Sequence, residues 1–374
     1  MKRLIRKVIN LPMKVFPKLE LSYRIDKFLE NSFDSEDWNG VPFSKDYGEN
    51  IRLILSEEEQ KDAKLVESIK RDMVKYYLLY GITPDEFLLY DCRNKSEKYV
   101  KTILSRCYKD KCCFNNGKEE FGKSGGEIIA ELKDKWMFYN MAKPFFKRAV
   151  CRVDADADFA ELEDFCAKHR RFIAKPRFAS SGIGVHVVDL QSNMMGSKEL
   201  FEYYKQFGDG KWLFEEFIEQ DSLMAEWHPS SVNTIRVPSI MTKDGPVVIL
   251  PLFRTGKNGN IVDNCHNDGG LMAVPDAKTG VLLTDGYDVF TNVVEIHPNS
   301  GKKFKGWQVP EWDSLIATAA ELHKSLPPYH KYVGFDFALT NKGWVVVEGN
   351  WGNFPHQVCV GYGIRNEFER LMKS

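Results

Sequence analysis

No stretch of the sequence approaches the roughly 18 consecutive apolar residues that a membrane-spanning helix needs, so no transmembrane segment is expected. Net charge is equally scarce: 52 Lys and Arg against 53 Asp and Glu leave a formal −1. Such a balance offers no global attraction to nucleic acid or an anionic membrane, so no nucleic-acid partner is expected and any basic site must be local. Paired CxxC spacing is missing among the eight cysteines, and the adjacent Cys112 and Cys113 point apart on any regular element. A zinc site is therefore not expected, and reduced thiols in a cytoplasmic protein are. Repeats of fixed period and low-complexity tracts are absent too.

What is present is an ordinary globular composition, with 43% hydrophobic and 28% charged residues and 25 Phe beside 15 Tyr. A chain of 374 residues predicts more than one lobe. The first 18 residues, MKRLIRKVINLPMKVFPK, hold six Lys or Arg and no acid. As a helix they would either lie on a membrane surface, placing the protein at the inner face of the membrane, or pack on their own domain. Pro12, Pro17 and the lack of a small-residue cleavage site argue against a signal peptide.

Residues 51–80 carry apolar positions at helical spacing, and GITPDEFLLY continues the style. Residues 1 to about 130 are thus expected to be a mostly helical lobe, with KDKCCFNNGKEEFGKSGG as its loop-rich end. From Phe172 onward, short β-branched and aromatic runs alternate with turns, from RFIAKP through NTIRVPSIM to GWVVVEGN. Helices are expected near 155–170, 196–207 and 311–325. The fold class is α+β.

Four stretches carry chemistry. In RFIAKPRFASSGIGVHVVDL, Lys175 ends one apolar strand and SSGIG leads to the next, so backbone amides and an ammonium could meet phosphate oxygens, although such a stretch between two apolar runs is in most proteins a plain hairpin turn. That segment is neither a GxxxxGKS loop nor a strand-to-helix GxGxxG. In KWLFEEFIEQDS a strand breaks into Glu215, Glu216, Glu219 and Asp221, which suits an adenine edge and ribose hydroxyls, or simply a solvated strand end. Glu348 and Asn350 lie two apart on one strand, with Asp336 on the preceding strand across TNKG. Three oxygen donors from one hairpin suit Mg²⁺, with Mn²⁺ as the alternative cation. The competing arrangement is a structural cluster neutralised by Arg236 or Arg254. Those arginines lie in SSVNTIRVPSI and LFRTG, followed by IVDNCHNDGG with His266. A planar guanidinium fork suits phosphate or carboxylate, and His266 is either a general base or a polar contact.

In this order, DKWMFYN with Lys135, FIAKP before SSGIG, FEEFI, and FDFALTNKGWVVVEGN closely resemble the ATP-grasp superfamily. SVNTIRV, LFRTG, VDN and GG look more specifically like its sugar-transfer associated group, found with genes for cell-surface polysaccharides. The resemblance covers about 130–365. It implies an ATP-grasp domain over 131–374, with subdomains 131–210 and 211–374 holding ATP between them. By the same resemblance Lys135 and Lys175 contact the phosphates, and the loop of Ser181, Gly182 and Gly184 closes over them. Glu216 and Ile218 meet adenine, with Glu219 or Asp221 near ribose. Asp336, Glu348 and Asn350 hold the metal, and Arg236 and Arg254, with Lys175, serve the transferred phosphoryl group. The implied partners are a small carboxylate and an amine, thiol or hydroxyl acceptor, sugar-linked in some cases, joined through an acyl phosphate. A kinase acting on a sugar hydroxyl and a nucleotide-binding regulatory module are the rival readings. The helical front departs from the Rossmann-like lobe common in the superfamily, which leaves the acceptor open.

Overall fold

A computed structural model describes residues 17–31, 55–179, 182–193, 195–263 and 269–374. The basic segment expected at a membrane surface lies outside these residues apart from the backbone of Pro17 and Lys18, as do Ser181 and His266. No helix among the described residues is long and apolar enough to cross a membrane. The chain clusters as two compact units, Met1–Lys111 with Asn353–Val358 and Tyr362–Asn366, and Cys112–Gly352 with Cys359–Gly361 and Glu367–Ser374.

The first unit is helical, as its apolar spacing predicts. Helix α1 spans Pro17–Asn31 and α2 spans Ala63–Tyr80. The Asp62 carboxylate starts α2 by accepting from the amides of Lys64 and Leu65, and Gly81, at φ 71°, ends it in the left-handed conformation that glycine tolerates. Ile69, Met73, Val74 and Tyr76 form its buried stripe. Helix α3, Pro84–Leu89, starts at Thr83, whose amide and hydroxyl both donate to Glu86 Oε2 at 3.1 Å.

The stretch expected to be loop-rich is instead helix α4, Arg106–Phe121. Its glycine serves packing rather than a turn. A Cβ on Gly117 would come within 2.4 Å of Ile128 Cδ1, and Phe114 stacks on Trp351 at 5.4 Å. Helix α5, Gly125–Lys133, is capped by Ser124 and Glu127, and α6, Lys135–Phe146, by Asp134, so helical structure continues past 130 to Phe146.

Two antiparallel sheets follow in the second unit. The smaller runs β1-β4-β2-β3, from β1 (Val150–Val153), β2 (Arg171–Pro176), β3 (His186–Asp189) and β4 (Trp212–Glu215). Helices α7 (Phe159–Lys168) and α8 (Ser197–Gln206) share its core, in which Leu162, Phe165, Phe172, Tyr204 and Phe214 are buried. Because β4 belongs here, the changeover between sheets falls after Glu215. The larger sheet runs β10-β9-β8-β7-β5-β11-β12, with β6 also on β5. Its strands are β5 (Thr234–Thr242), β6 (Gly245–Val248), β7 (Leu252–Gly256), β8 (Gly270–Ala273), β9 (Gly286–Tyr287), β10 (Val293–Val294), β11 (Tyr332–Thr340) and β12 (Gly343–Asn350). Ile235, Val237, Phe335 and Phe337 share one core with Phe138 of α6 and with Leu315, Ala319 and Leu322 of α9 (Trp312–Ser325). Alternation along a strand then sends Thr234, Arg236 and Asp336 to the other face. Among the described residues Cys92, Cys151 and Cys166 are buried free thiols.

Candidate functional site

That other face carries a polar row across four adjacent strands. Arg254 on β7 sits opposite Thr234 on β5; two residues on, Arg236 faces Asp336 on β11, which faces Glu348 on β12. The last pairing depends on a bulge. Held to the register of Thr340 opposite Gly343, Asp336 would face Val347, and Glu348 would share the core side with Val346. The ladder shifts between Asp336 and Phe337, however, and Glu348 turns onto the polar face. The Glu-x-Asn spacing was legible in the sequence; the extra residue that aims it was not.

Asp336, only 1% exposed, is held by two arginines. Arg236 Nε and Nη2 donate to its two oxygens, the latter at 2.8 Å, and Arg254 Nη2 lies 2.9 Å from Oδ2. Burial works to raise this carboxyl, yet the Arg236 and Arg254 guanidiniums outweigh it and hold the group below the ordinary carboxylate range. Asn350 Nδ2 donates to Asp336 Oδ2 at 3.0 Å and to Glu348 Oε1 at 2.9 Å. The hairpin thus brings the three expected donors together, with Asp336 paired to Arg236 and Arg254 as in the competing arginine-neutralised arrangement. Gly352 makes room for it, since a Cβ there would stand 2.5 Å from Arg236 Nη1. Among the described residues no group of three or more His, Cys, Asp or Glu converges. Two carboxylates and an amide nonetheless fit Mg²⁺, a hard cation that takes one or two protein carboxylates and fills its remaining positions with phosphate and water.

Beside Glu348 lies a small pocket lined also by Lys135, Lys175 and Glu215. Lys135 opens α6, whose N-terminal cap Asp134 accepts from the amides of Trp136 and Met137 and is gripped by Arg177 at 2.6 Å. Its ammonium donates to the Ala179 carbonyl, and burial lowers its pKa, with Glu348 opposing. Lys175, at the end of β2, pairs with Glu215, which is 5% exposed. Arg148 donates to the same carboxylate through Nε at 3.2 Å and Nη2 at 2.8 Å. Burial again works to raise Glu215, but Lys175 and Arg148 hold it below its usual value. Glu215 is therefore committed inside the protein rather than offered to a ribose.

A second pocket shares Phe146 with the first and is lined by Arg148, Glu216, Ile218, Glu219 and Lys342. Residues 216–219 run outside any ladder. Glu216 Oε2 accepts from the Ala149 amide at 3.0 Å. Asp221 caps the short helix Ser222–Ala225, accepting from Leu223 at 2.9 Å, so its carboxylate already has a structural task. Strands β2 and β3 pair antiparallel, and Gly182 and Gly184 between them have φ of 73° and 77°.

Arg148 escaped the sequence reading; its only signal is the basic KR before the apolar start of β1. GKEEFGKS, residues 117–124, has the lettering of a phosphate loop, but helix α4 runs through Phe121 and no strand leads into it.

A family model described as sugar-transfer associated ATP-grasp matches residues 126–373. No curated protein matches the sequence. Among solved structures, the D-alanine-D-alanine ligase of Coxiella burnetii is 12% identical with a TM-score of 0.37, over 65% of this chain and 56% of that one, so the chain spans just over half of that ligase. The ATP-grasp ligase PsnB with its minimal precursor is 12% identical, with a TM-score of 0.40 over 68% of this chain and 64% of that one. VanG D-Ala:D-Ser ligase of Enterococcus faecalis is 12% identical, with a TM-score of 0.41 over 66% and 63%. The family match takes in both sheets, the hinge between them and the whole polar row. With an ATP-grasp fold behind a mostly helical front, the chain belongs to the sugar-transfer associated ATP-grasp family.

Proposed function

We propose that the protein is an ADP-forming ligase that activates a small carboxylate with ATP and joins it to an amine, or to a thiol or hydroxyl. The observation that carries this reading is the polar row of Arg254, Arg236, Asp336 and Glu348, which ends at the cavity lined by Lys135 and Lys175. ATP would lie between subdomains 131–215 and 216–374, with adenine at Glu216 and Ile218 and ribose near Glu219. Lys135 and Lys175 meet its phosphates, and the Gly182–Gly184 turn closes over them. Asp336, Glu348 and Asn350 would hold Mg²⁺, or Mn²⁺ in its place, which when bound neutralises charge on the phosphate tail.

Arg236 and Arg254 then turn from Asp336 toward the transferred phosphoryl group. A carboxylate oxygen attacks the γ-phosphorus and ADP leaves; the acceptor attacks the carbonyl carbon of the resulting acyl phosphate, and inorganic phosphate departs. Positioning and charge neutralisation suffice, so no nucleophilic side chain is needed. Closure of the glycine turn keeps water from the acyl phosphate. The family's description as sugar-transfer associated supports a product used in a surface polysaccharide or related metabolite, and we place its synthesis in the cytoplasm as part of this proposal.

Incubation with Mg²⁺-ATP and pooled carboxylates and amines, followed by ADP release and new masses, tests the reading. ADP that requires both substrates is the expected result. A stable phospho-sugar formed without an amine would make the protein a kinase, and binding without turnover in every pool would make it a regulatory module.

A further inference from the structure

We infer that Arg148 is a positioning residue for ATP: it holds the charge of Glu215 so that Lys175 is free to turn to phosphate. This rests on the reading that Lys175 meets ATP. Glu215 is one buried carboxylate shared by two cations that approach different oxygens, Lys175 at Oε1 and Arg148 at Oε2. The Arg148 side chain is 4% exposed, and its remaining donors are anchored across the hinge, Nη1 on the Val346 carbonyl at 2.7 Å and Nη2 on that of Val347 at 3.4 Å. Its guanidinium also lies 4.6 Å over the Phe146 ring, between the two cavities. Arg148 is therefore fixed, whereas Lys175 has a flexible four-carbon stem and lines the cavity where the phosphates would sit.

The electrostatics follow from burial. A carboxylate in this position needs a counter-ion at all times. With Arg148 in place, Lys175 can leave while Glu215 stays neutralised. Without it, Lys175 is the remaining counter-ion, and ATP must compete with Glu215 for it. The carbonyls that Arg148 holds belong to Val346 and the bulged Val347, immediately before Glu348, so one side chain ties the phosphate lysine to the strand that aims the metal acid.

Calorimetric titration of the full chain with Mg²⁺ and a non-hydrolysable ATP analogue tests this. Arg148→Met should raise the Kd about tenfold. The same substitution in a Glu215→Gln background should change it less than about twofold, because a neutral amide no longer retains Lys175. An Arg148→Met protein that binds like wild type, or one whose loss persists undiminished with Glu215→Gln, overturns the inference. Arg148→Lys guards against misfolding: it should recover most of the affinity while melting lower, since it cannot reach both the carboxylate and the carbonyls. Recovery of melting temperature without recovery of affinity would also overturn it. Lys175→Met separates the two levels, because unaltered affinity there removes the site reading itself, whereas a loss there with none in Arg148→Met removes only the role given to Arg148.

Discussion

Asp336 accepts from two guanidiniums and an amide inside the sheet, and that crowding decides what its removal does. Asp336→Ala strips Arg236 of its counter-ion and leaves Arg254 to Asp263, 3.6 Å away, so a loss of about 3 kcal/mol is expected in urea denaturation. Glu348 is less committed, taking one hydrogen bond from Asn350. Glu348→Gln keeps its shape and should leave the melting temperature in place while ADP formation is abolished. The identities of these residues were legible in the sequence because carboxylates and an arginine on apolar strands need partners. Who pairs with whom was not, since a metal and an arginine satisfy a buried acid equally well on paper. Arg148 was invisible for the same reason: its partners, Glu215 and the Val346 carbonyl, lie 67 and 198 residues away.

Elements were easier to read than their joints. Apolar alternation predicted most of both sheets, because one face of each is buried against helices. The two-residue β9 and β10 were too short for alternation to show, and α4 was hidden by a glycine and two asparagines whose cost is offset by close packing on α5. The bulge at Val347 had no sequence signal, yet it sets the face of Glu348. Deleting Val347 should remove the bulge and leave Glu348 directly after Val346, still opposite Asp336 on the polar face, so nucleotide-dependent Mn²⁺ binding, followed by its electron paramagnetic signal, should survive; its loss would contradict this register. Gly349 shows how tight that strand is, since a Cβ there would come 2.3 Å from Phe138 Cε2. Gly349→Ala should cost about 1 to 3 kcal/mol, read from urea midpoints.

Across the whole molecule the two units should answer pH with opposite sign. In the second unit His323 is buried between Ser239 Oγ, 2.7 Å from Nδ1, and the His330 carbonyl, 2.7 Å from Nε2. Nε2 donates to that carbonyl while Nδ1 accepts from the hydroxyl, and it is this acceptance that requires the neutral ring; burial lowers the pKa from 6.5 to about 4. Its contribution is complete above pH 6.5 and is lost as pH falls through about 4. In the first unit burial raises Glu86 from 4.5 to about 7, although the Arg106 and Thr83 amides donate to it. That contribution is present below pH 4.5 and is lost as pH rises through about 7. Thermal melts across this range should show each slope flattened by His323→Gln or Glu86→Gln respectively; unchanged slopes would contradict the assignments.

The central claim is that one hairpin and the lysines beside it hold a metal and a triphosphate together. Calorimetry with Mg²⁺ and a non-hydrolysable ATP analogue tests it most directly, comparing wild type with Glu348→Gln. The account predicts that wild type binds the pair and that the variant loses at least about tenfold in affinity while keeping its fold. Equal affinity in the two proteins, with Asp336 still held by its arginines when nucleotide is present, would contradict it.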